Sequence, residues 1–230
     1  MSIRFGFEFR GLAEVGVWGG EAPRLHWFGL TDGWYWIEVG ELRLLQYADG
    51  SGIDYYVVRL WEDLLQLLPA LLEDVPEDLV GFVSGDSLGW NDVESEAADA
   101  AMNWYSDHWL YLGYLRDSPA ICFSRRDGQV TIDWEMPEPN KFAVPRTGTV
   151  AVDAGQFVAA IEEFDRELLA AMAARIAEVE ASPLVGVEID LEQLRREHED
   201  RSGWLQRARS WQRATDWNAI RAGAALLSKY

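Results

Sequence analysis

The chain is predicted to fold as α+β: an antiparallel sheet built from hairpins and packed with several helices. Asp-Gly pairs at 32–33 and 127–128 each lie between strand-like runs, the sequence form of a type I′ hairpin. Apolar residues recur at helical spacing from 57 to 68 and from 157 to 179. Strand-like and helical segments alternate, with tight turns joining the strands, and that order favours antiparallel pairing.

Each element has its own warrant. Ile3, Phe5, Phe7 and Phe9 alternate, so the first strand buries one side. The Leu25–Tyr47 segment carries the first Asp-Gly. A turn there sets Thr31 against Trp34, Leu30 against Tyr35, Gly29 against Trp36 and Phe28 against Ile37. One face then shows His26, Phe28, Leu30, Tyr35, Ile37 and Val39. The other shows Trp27, Gly29, Thr31, Trp34, Trp36 and Glu38, with Gly29 leaving room for the Trp36 indole to lie across the strand. Gly40-Glu41 turns the chain into a third strand, Leu42–Tyr47. From Asp54 to Leu68 the period becomes helical, through Val57, Leu60, Trp61, Leu64, Leu65 and Leu68. Pro69 marks a kink or the first turn of a new helix.

Residues 77–83 fit no single period, and 84–89 read as a loop. Asn91 with Glu94 forms a capping-box-like start to a helix reaching about Arg116. Ala120–Arg126 and Gln129–Glu135 flank the second Asp-Gly, and Thr147–Val152 reads as a further strand. Asp153 with Gln156 caps a long helix near 154–180. Phe157, Ile161, Phe164, Leu168, Met172, Ile176 and Val179 line one face of it, and Ser182-Pro183 ends it. Leu184–Ile189 reads as a short strand, Asp190 begins an Arg-rich helical stretch, and Thr215 caps a last helix to about Leu227. Residues 1–183 are thus expected to form an α+β body. Residues 184–230 form an Arg- and Trp-rich helical part, docked on the body as one domain.

Charge points to a kind of partner. The chain has 230 residues and a net charge of -19. Between Leu60 and Leu115 there are twelve acids and no Lys or Arg: Glu62, Asp63, Glu73, Asp74, Glu77, Asp78, Asp86, Asp92, Glu94, Glu96, Asp99 and Asp107. A field of one sign steers basic partners and repels nucleic acid. General solubility is the plain alternative. The sign reverses near the end, where residues 181–230 hold 8 basic and 7 acidic residues. Arg201, Arg207, Arg209, Arg213 and Arg221 interleave there with Trp204, Trp211 and Trp217, superficially like a nucleic-acid arm. An acidic body opposes polyanion binding, so docking of these helices on the body is the reading taken. The single Cys122 excludes an internal disulfide and suits a reducing cytoplasm. Neither a signal peptide nor a membrane span is expected from the sequence.

Catalytic patterns are few. His26 reads as a core or rim residue, and His198 lies on a solvated helical face. His108 and Asp107 are adjacent on a helix and point apart. The chain has no His-Glu-x-x-His pattern, phosphate loop or dinucleotide fingerprint, so no metal and no cofactor is expected. Cys122 reads as a buried small residue. Asp133 and Glu135 share a strand face and could divide acid and base roles, or simply be solvated. Twelve tryptophans are too many to be incidental. The Trp27/Trp34/Trp36 face is either covered by a helix or an exposed aromatic patch that binds something.

Three blocks span most of the chain: Leu25-His-Trp-Phe-Gly-Leu-Thr-Asp-Gly-Trp-Tyr-Trp-Ile, Asp54-Tyr-Tyr-Val-Val-Arg-Leu-Trp-Glu-Asp-Leu-Leu and Thr215-Asp-Trp-Asn-Ala-Ile-Arg-Ala-Gly. Together they resemble a family of uncharacterised bacterial proteins defined only as a domain of unknown function. In general character that family is similar to small immunity proteins that neutralise a toxin by binding it, and it brings no catalytic residues to carry over. The expectation is therefore a cytoplasmic, non-enzymatic acidic protein, an immunity protein or antitoxin. Its basic protein partner would meet Asp86, Asp92, Glu94 and Glu96, with Trp90 and the Trp27/Trp34/Trp36 face as aromatic anchors. The alternatives are an enzyme using Asp133, Glu135, His26 and His108, or a DNA mimic that occupies a DNA-binding protein.

Overall fold

A strand that alternates bulky apolar with aromatic and polar residues can serve two layers at once, and the strand Asp32–Val39 does so at the centre of the first sheet. In the computed structural model, which describes residues 1–18, 23–85, 87, 90, 93–211 and 214–228, this strand is β2. It pairs antiparallel along one edge with β1 (Ile3–Phe9), from Ile3↔Val39 to Phe9↔Gly33. Its other edge is shared. β3 (Leu42–Leu44) takes one half and β4 (Ile53–Tyr56) the other. A second antiparallel sheet is a meander of β5 (Ala120–Arg126), β6 (Gln129–Glu135) and β7 (Thr147–Asp153). The fold is α+β, as the sequence predicts.

Two helices join the sheets through one core. α1 (Val57–Leu71) follows β4 without a loop. α4 (Ala154–Ala181) follows β7 and is capped by Asp153, whose side chain accepts from the Gln156 amide. The seven apolar residues expected on one face of α4 are all buried. Phe157 and Phe164 meet Phe5 of β1 at ring separations of 5.8 and 6.0 Å. Pro69 lies inside α1, which runs on for two residues past it. Lacking an N–H, Pro69 leaves the Leu65 carbonyl without its helical donor, and the helix ends within the same turn.

A second apolar cluster lies on the outer side of β5, around Cys122. It gathers Val83 of the short α2 (Val80–Val83), Trp104 of α3 (Glu96–Ser106), and Ile220 and Ala224 of α7 (Trp217–Leu227). α3 and α7 approach backbone to backbone. A Cβ at Gly223 would lie 1.9 Å from the Ala97 carbonyl oxygen, so only glycine allows this approach. The remaining C-terminal helices, α5 (Leu191–Arg201) and α6 (Trp204–Ser210), pack on α4 and α1. Asp190 caps α5 as expected; Asp216, rather than Thr215, caps α7. Of the expected strand at 184–189, the structure shows one bridge, Arg24↔Glu188.

Two expectations are corrected. Asp32-Gly33 is not a turn. It opens β2, and residues 29–31 form a 3₁₀ turn before it. Gly33 is glycine because the chains cross closely there: a Cβ would lie 2.2 Å from the Glu8 carbonyl oxygen. The hairpin register set out for residues 28–37 therefore falls, and Trp27 does not share a face with Trp34 and Trp36. By contrast Asp127 and Gly128 both take positive φ (49° and 73°), as a type I′ hairpin requires. The second correction is the helix expected to reach about Arg116. α3 stops at Ser106 because the chain then pairs with β5, the Leu110 amide donating to Ile121 and the Phe123 amide to His108. Tertiary pairing wins over helical propensity there. The expected Asn91 cap lies outside the described residues.

Candidate functional site

The acid run turns out to be the seat of the chain's own arginines. Glu62 on α1 receives Arg59 at 3.2 Å and Arg201 of α5 at 2.9 Å. Asp74 lies 3.0 Å from Arg125 as an ion pair, without hydrogen-bond geometry at that Nε. Glu77 pairs with Arg126, Asp78 with Arg221 of α7, and Glu73 accepts from Thr215 at 2.6 Å. These acids hold β5 and the C-terminal helices in place. Glu94, Glu96 and Asp99 remain exposed and carry no ion pair among the described residues. Glu96 and Asp99 lie in the first turn of α3, where acids also favour the helix dipole. Asp86 and Asp92 lie outside the described residues.

The aromatic anchors separate into three settings. Trp27 has no exposed surface. It packs between Trp61, His198 and the Arg201 guanidinium, which lies 4.4 Å above its ring. Trp90 is also buried, stacked on Phe82 at 4.8 Å. Both are core residues here and offer no face to a partner. Trp34 and Trp36 are half-buried on the outer face of the first sheet. What lies over their rings is cationic rather than helical: Arg10 at 4.5 Å over Trp34 and Arg43 at 5.1 Å over Trp36. Trp36 lies flat because its cross-strand neighbour is Gly6, whose Cβ would meet the indole at 2.5 Å. A glycine makes room for the indole as expected, but on β1 rather than at Gly29.

Among the described residues the large aromatics that are exposed are others: Trp18, Tyr111 and Trp211, the last two at 67% and 71%. Tyr111 and Trp211 border two hollows on either side of Gln66, in the middle of α1. One, about 460 Å³, is mostly apolar and lined by Leu65, Gln66, Trp204, Ala208 and Trp211, with Glu62 and Arg207 at its edge. The other, about 210 Å³, is more enclosed and lined by Asp63, Gln66, Leu67, Ser106, Asp107, Trp109 and Tyr111. Helical spacing explains the division. Residues 63, 66 and 67 share one side of α1, and residues 62, 65 and 66 share the next.

Asp63 is the unusual group. It is 7% exposed and accepts a hydrogen bond from the Tyr114 hydroxyl at 3.2 Å. Tyr114 is in turn 3.0 Å from the Tyr35 hydroxyl and stacked on Tyr55. Burial pushes the Asp63 carboxyl up to about 7, against the opposing pull of the Tyr114 bond. Asp63 makes no ion pair among the described residues, and the buried Trp109 indole N–H has no hydrogen-bond partner there. Sequence reasoning counted Asp63 only as one acid among twelve. The available signal was its position, three residues from Leu60 and four from Leu67, both buried in the same helix.

The residues proposed for an enzyme do not assemble. His26 stacks edge-on against Trp18 before β2. His108 is buried after α3, with Nδ1 2.8 Å from the Trp104 carbonyl, so that nitrogen carries the proton. Asp133 is half-buried beside Cys122, and Glu135 pairs with Arg146. Cys122 is fully buried, and burial pushes its thiol up to about 12, so it is a packing residue without nucleophilic character. Among the described residues no three His, Cys, Asp or Glu come together as a metal site.

The model of DUF5984, a family of unknown function, matches residues 4–223. No curated protein and no solved structure matches the chain. No helix among the described residues is long and apolar enough to cross a membrane.

Proposed function

We propose that the chain, which belongs to the DUF5984 family, is a non-enzymatic binding protein that neutralises a basic protein partner, in the manner of an immunity protein or antitoxin. The observation that carries this reading is how charge is distributed. Most of the arginines are already held in ion pairs within the chain, including Arg10, Arg43, Arg125, Arg126, Arg146, Arg201 and Arg221. The net charge of -19 is therefore an excess of carboxylates facing outward, with few cations free to mask it. Such a surface accelerates encounter with a basic partner, while a few aromatic anchors supply lasting affinity. Tyr111 and Trp211 take the anchoring role first given to Trp27 and Trp90. The reading puts the protein in the cytoplasm, which a chain with a single cysteine suits.

The test is affinity capture from the native cell lysate at low and high salt, followed by titration of the purified retained protein. One basic protein, bound stoichiometrically and released by salt, is the expected result. A folded bait that retains no basic protein overturns the reading. If the retained protein binds DNA and duplex DNA competes for it, the acids act as a DNA mimic instead.

A further inference from the structure

We propose that the hollow of about 210 Å³ beside α1 receives one arginine side chain of the basic partner, with Asp63 as its counter-charge and Trp109 and Tyr111 as its aromatic walls. The inference rests on the basic-partner reading and gives it a seat.

A carboxylate nine-tenths removed from water needs either a proton or a cation. Asp63 has the Tyr114 hydroxyl on one oxygen and no ion pair among the described residues. The hollow it lines is smaller than the roughly 300–1,000 Å³ of typical small-molecule sites, so its size suits a side chain rather than a cofactor. Its lining matches a guanidinium, which has five N–H donors and no acceptor. The Asp63 carboxylate, the Gln66 amide and the Ser106 hydroxyl supply acceptor atoms, and two aromatic rings supply faces for stacking.

The molecule contains a filled version of this arrangement one residue away. Glu62 receives Arg201 at 2.9 Å, and that guanidinium lies 4.4 Å from the Trp27 ring and 4.6 Å from the Trp204 ring. A carboxylate of α1, an arginine and two aromatic rings form that unit. The hollow over Asp63 offers a carboxylate and two aromatic rings, and no cation pairs with Asp63 among the described residues. A partner's arginine would complete it from outside, as Arg201 completes the first from within.

The experiment uses the full chain and a probe in place of the partner. Nα-acetyl-L-arginine amide is titrated in and followed by the Trp109 indole N–H resonance. The neutral citrulline analogue, of nearly the same shape, is the control. The expected result is a saturable shift with the arginine probe. Affinity should fall at least about tenfold for the citrulline probe and for Asp63→Asn, as loss of a charge-assisted contact requires. Tyr111→Ala, at an exposed position, should weaken binding with the circular dichroism unchanged. No saturable shift, equal response to the two probes, or undiminished binding by either variant overturns the proposal. Failure here with a basic protein still captured moves the seat and leaves the partner reading standing. Binding of the probe with no basic protein captured overturns the partner as the source of the arginine.

Discussion

Asp63 stands on a helix whose other inward positions are apolar, and its proton is worth more to the folded chain than to the unfolded one. Ionisable groups surround it, and Asp107 and Tyr111 line the same hollow. Glu62 pushes its pKa further up, Arg59 pulls it down, Tyr114 donates to it, and Tyr35 lies behind Tyr114. The ordinary value is 3.8 and the folded value about 7. Between those limits the folded state holds a proton that the unfolded state has lost. The contribution of this proton to stability is full below the lower limit and fades as pH rises to the upper one. Measured against Asp63→Asn, which cannot ionise, stability should fall by on the order of 4 kcal/mol between pH 4 and pH 8. Urea unfolding of both proteins across that range decides it. Parallel curves would show that water reaches Asp63 and that its burial has no electrostatic cost. A bound cation would reverse the sign, because it favours the charged form.

At the scale of elements, legibility followed how local the cause was. α4 was readable because its apolar stripe and its Asp153 cap are both written within the helix. The hairpin at Asp127-Gly128 was readable because the turn's backbone angles select those two residues. The same two letters at 32–33 misled. Gly33 answers to Glu8, twenty-five positions back, and no short-range pattern records that crossing. The hollow over Asp63 was hidden for the same reason: Trp109, Tyr111 and Tyr114 come from the segment after α3, which pairs with β5 instead of continuing the helix. Arg201 is where α5 is fastened to α1. Its side chain is 14% exposed and that of Glu62 is 15% exposed. Arg201→Ala would remove the ion pair and both ring contacts, leaving Glu62 with Arg59 alone. The expected cost is about 2 kcal/mol, with hydrogen-exchange protection lost in α5 and α6 before α4. Uniform loss across all helices would instead mean that the C-terminal helices unfold only with the body.

For the whole molecule, the question is whether a partner senses the total charge or one region of it. Total charge acts at long range and is screened over about 8 Å at physiological salt, so only acids near the docking face should govern the encounter. Glu94 precedes α3 and Glu96 begins it, and Ser106 and Asp107 at its far end reach the hollow over Asp63. Glu14 and Glu41 are equally exposed but belong to the first sheet's side of the chain. Reversing either pair to lysine changes the net charge by the same amount, from -19 to -15. If α3 leads to the docking face, Glu94→Lys with Glu96→Lys should slow association with the captured partner about tenfold and flatten its salt dependence, while dissociation changes little. Glu14→Lys with Glu41→Lys should change the association rate by less than about twofold. Equal slowing by both pairs would mean that the partner responds to net charge alone. An effect confined to the Glu14 and Glu41 pair would place the docking face on the first sheet, where Trp34 and Trp36 lie beneath their arginines.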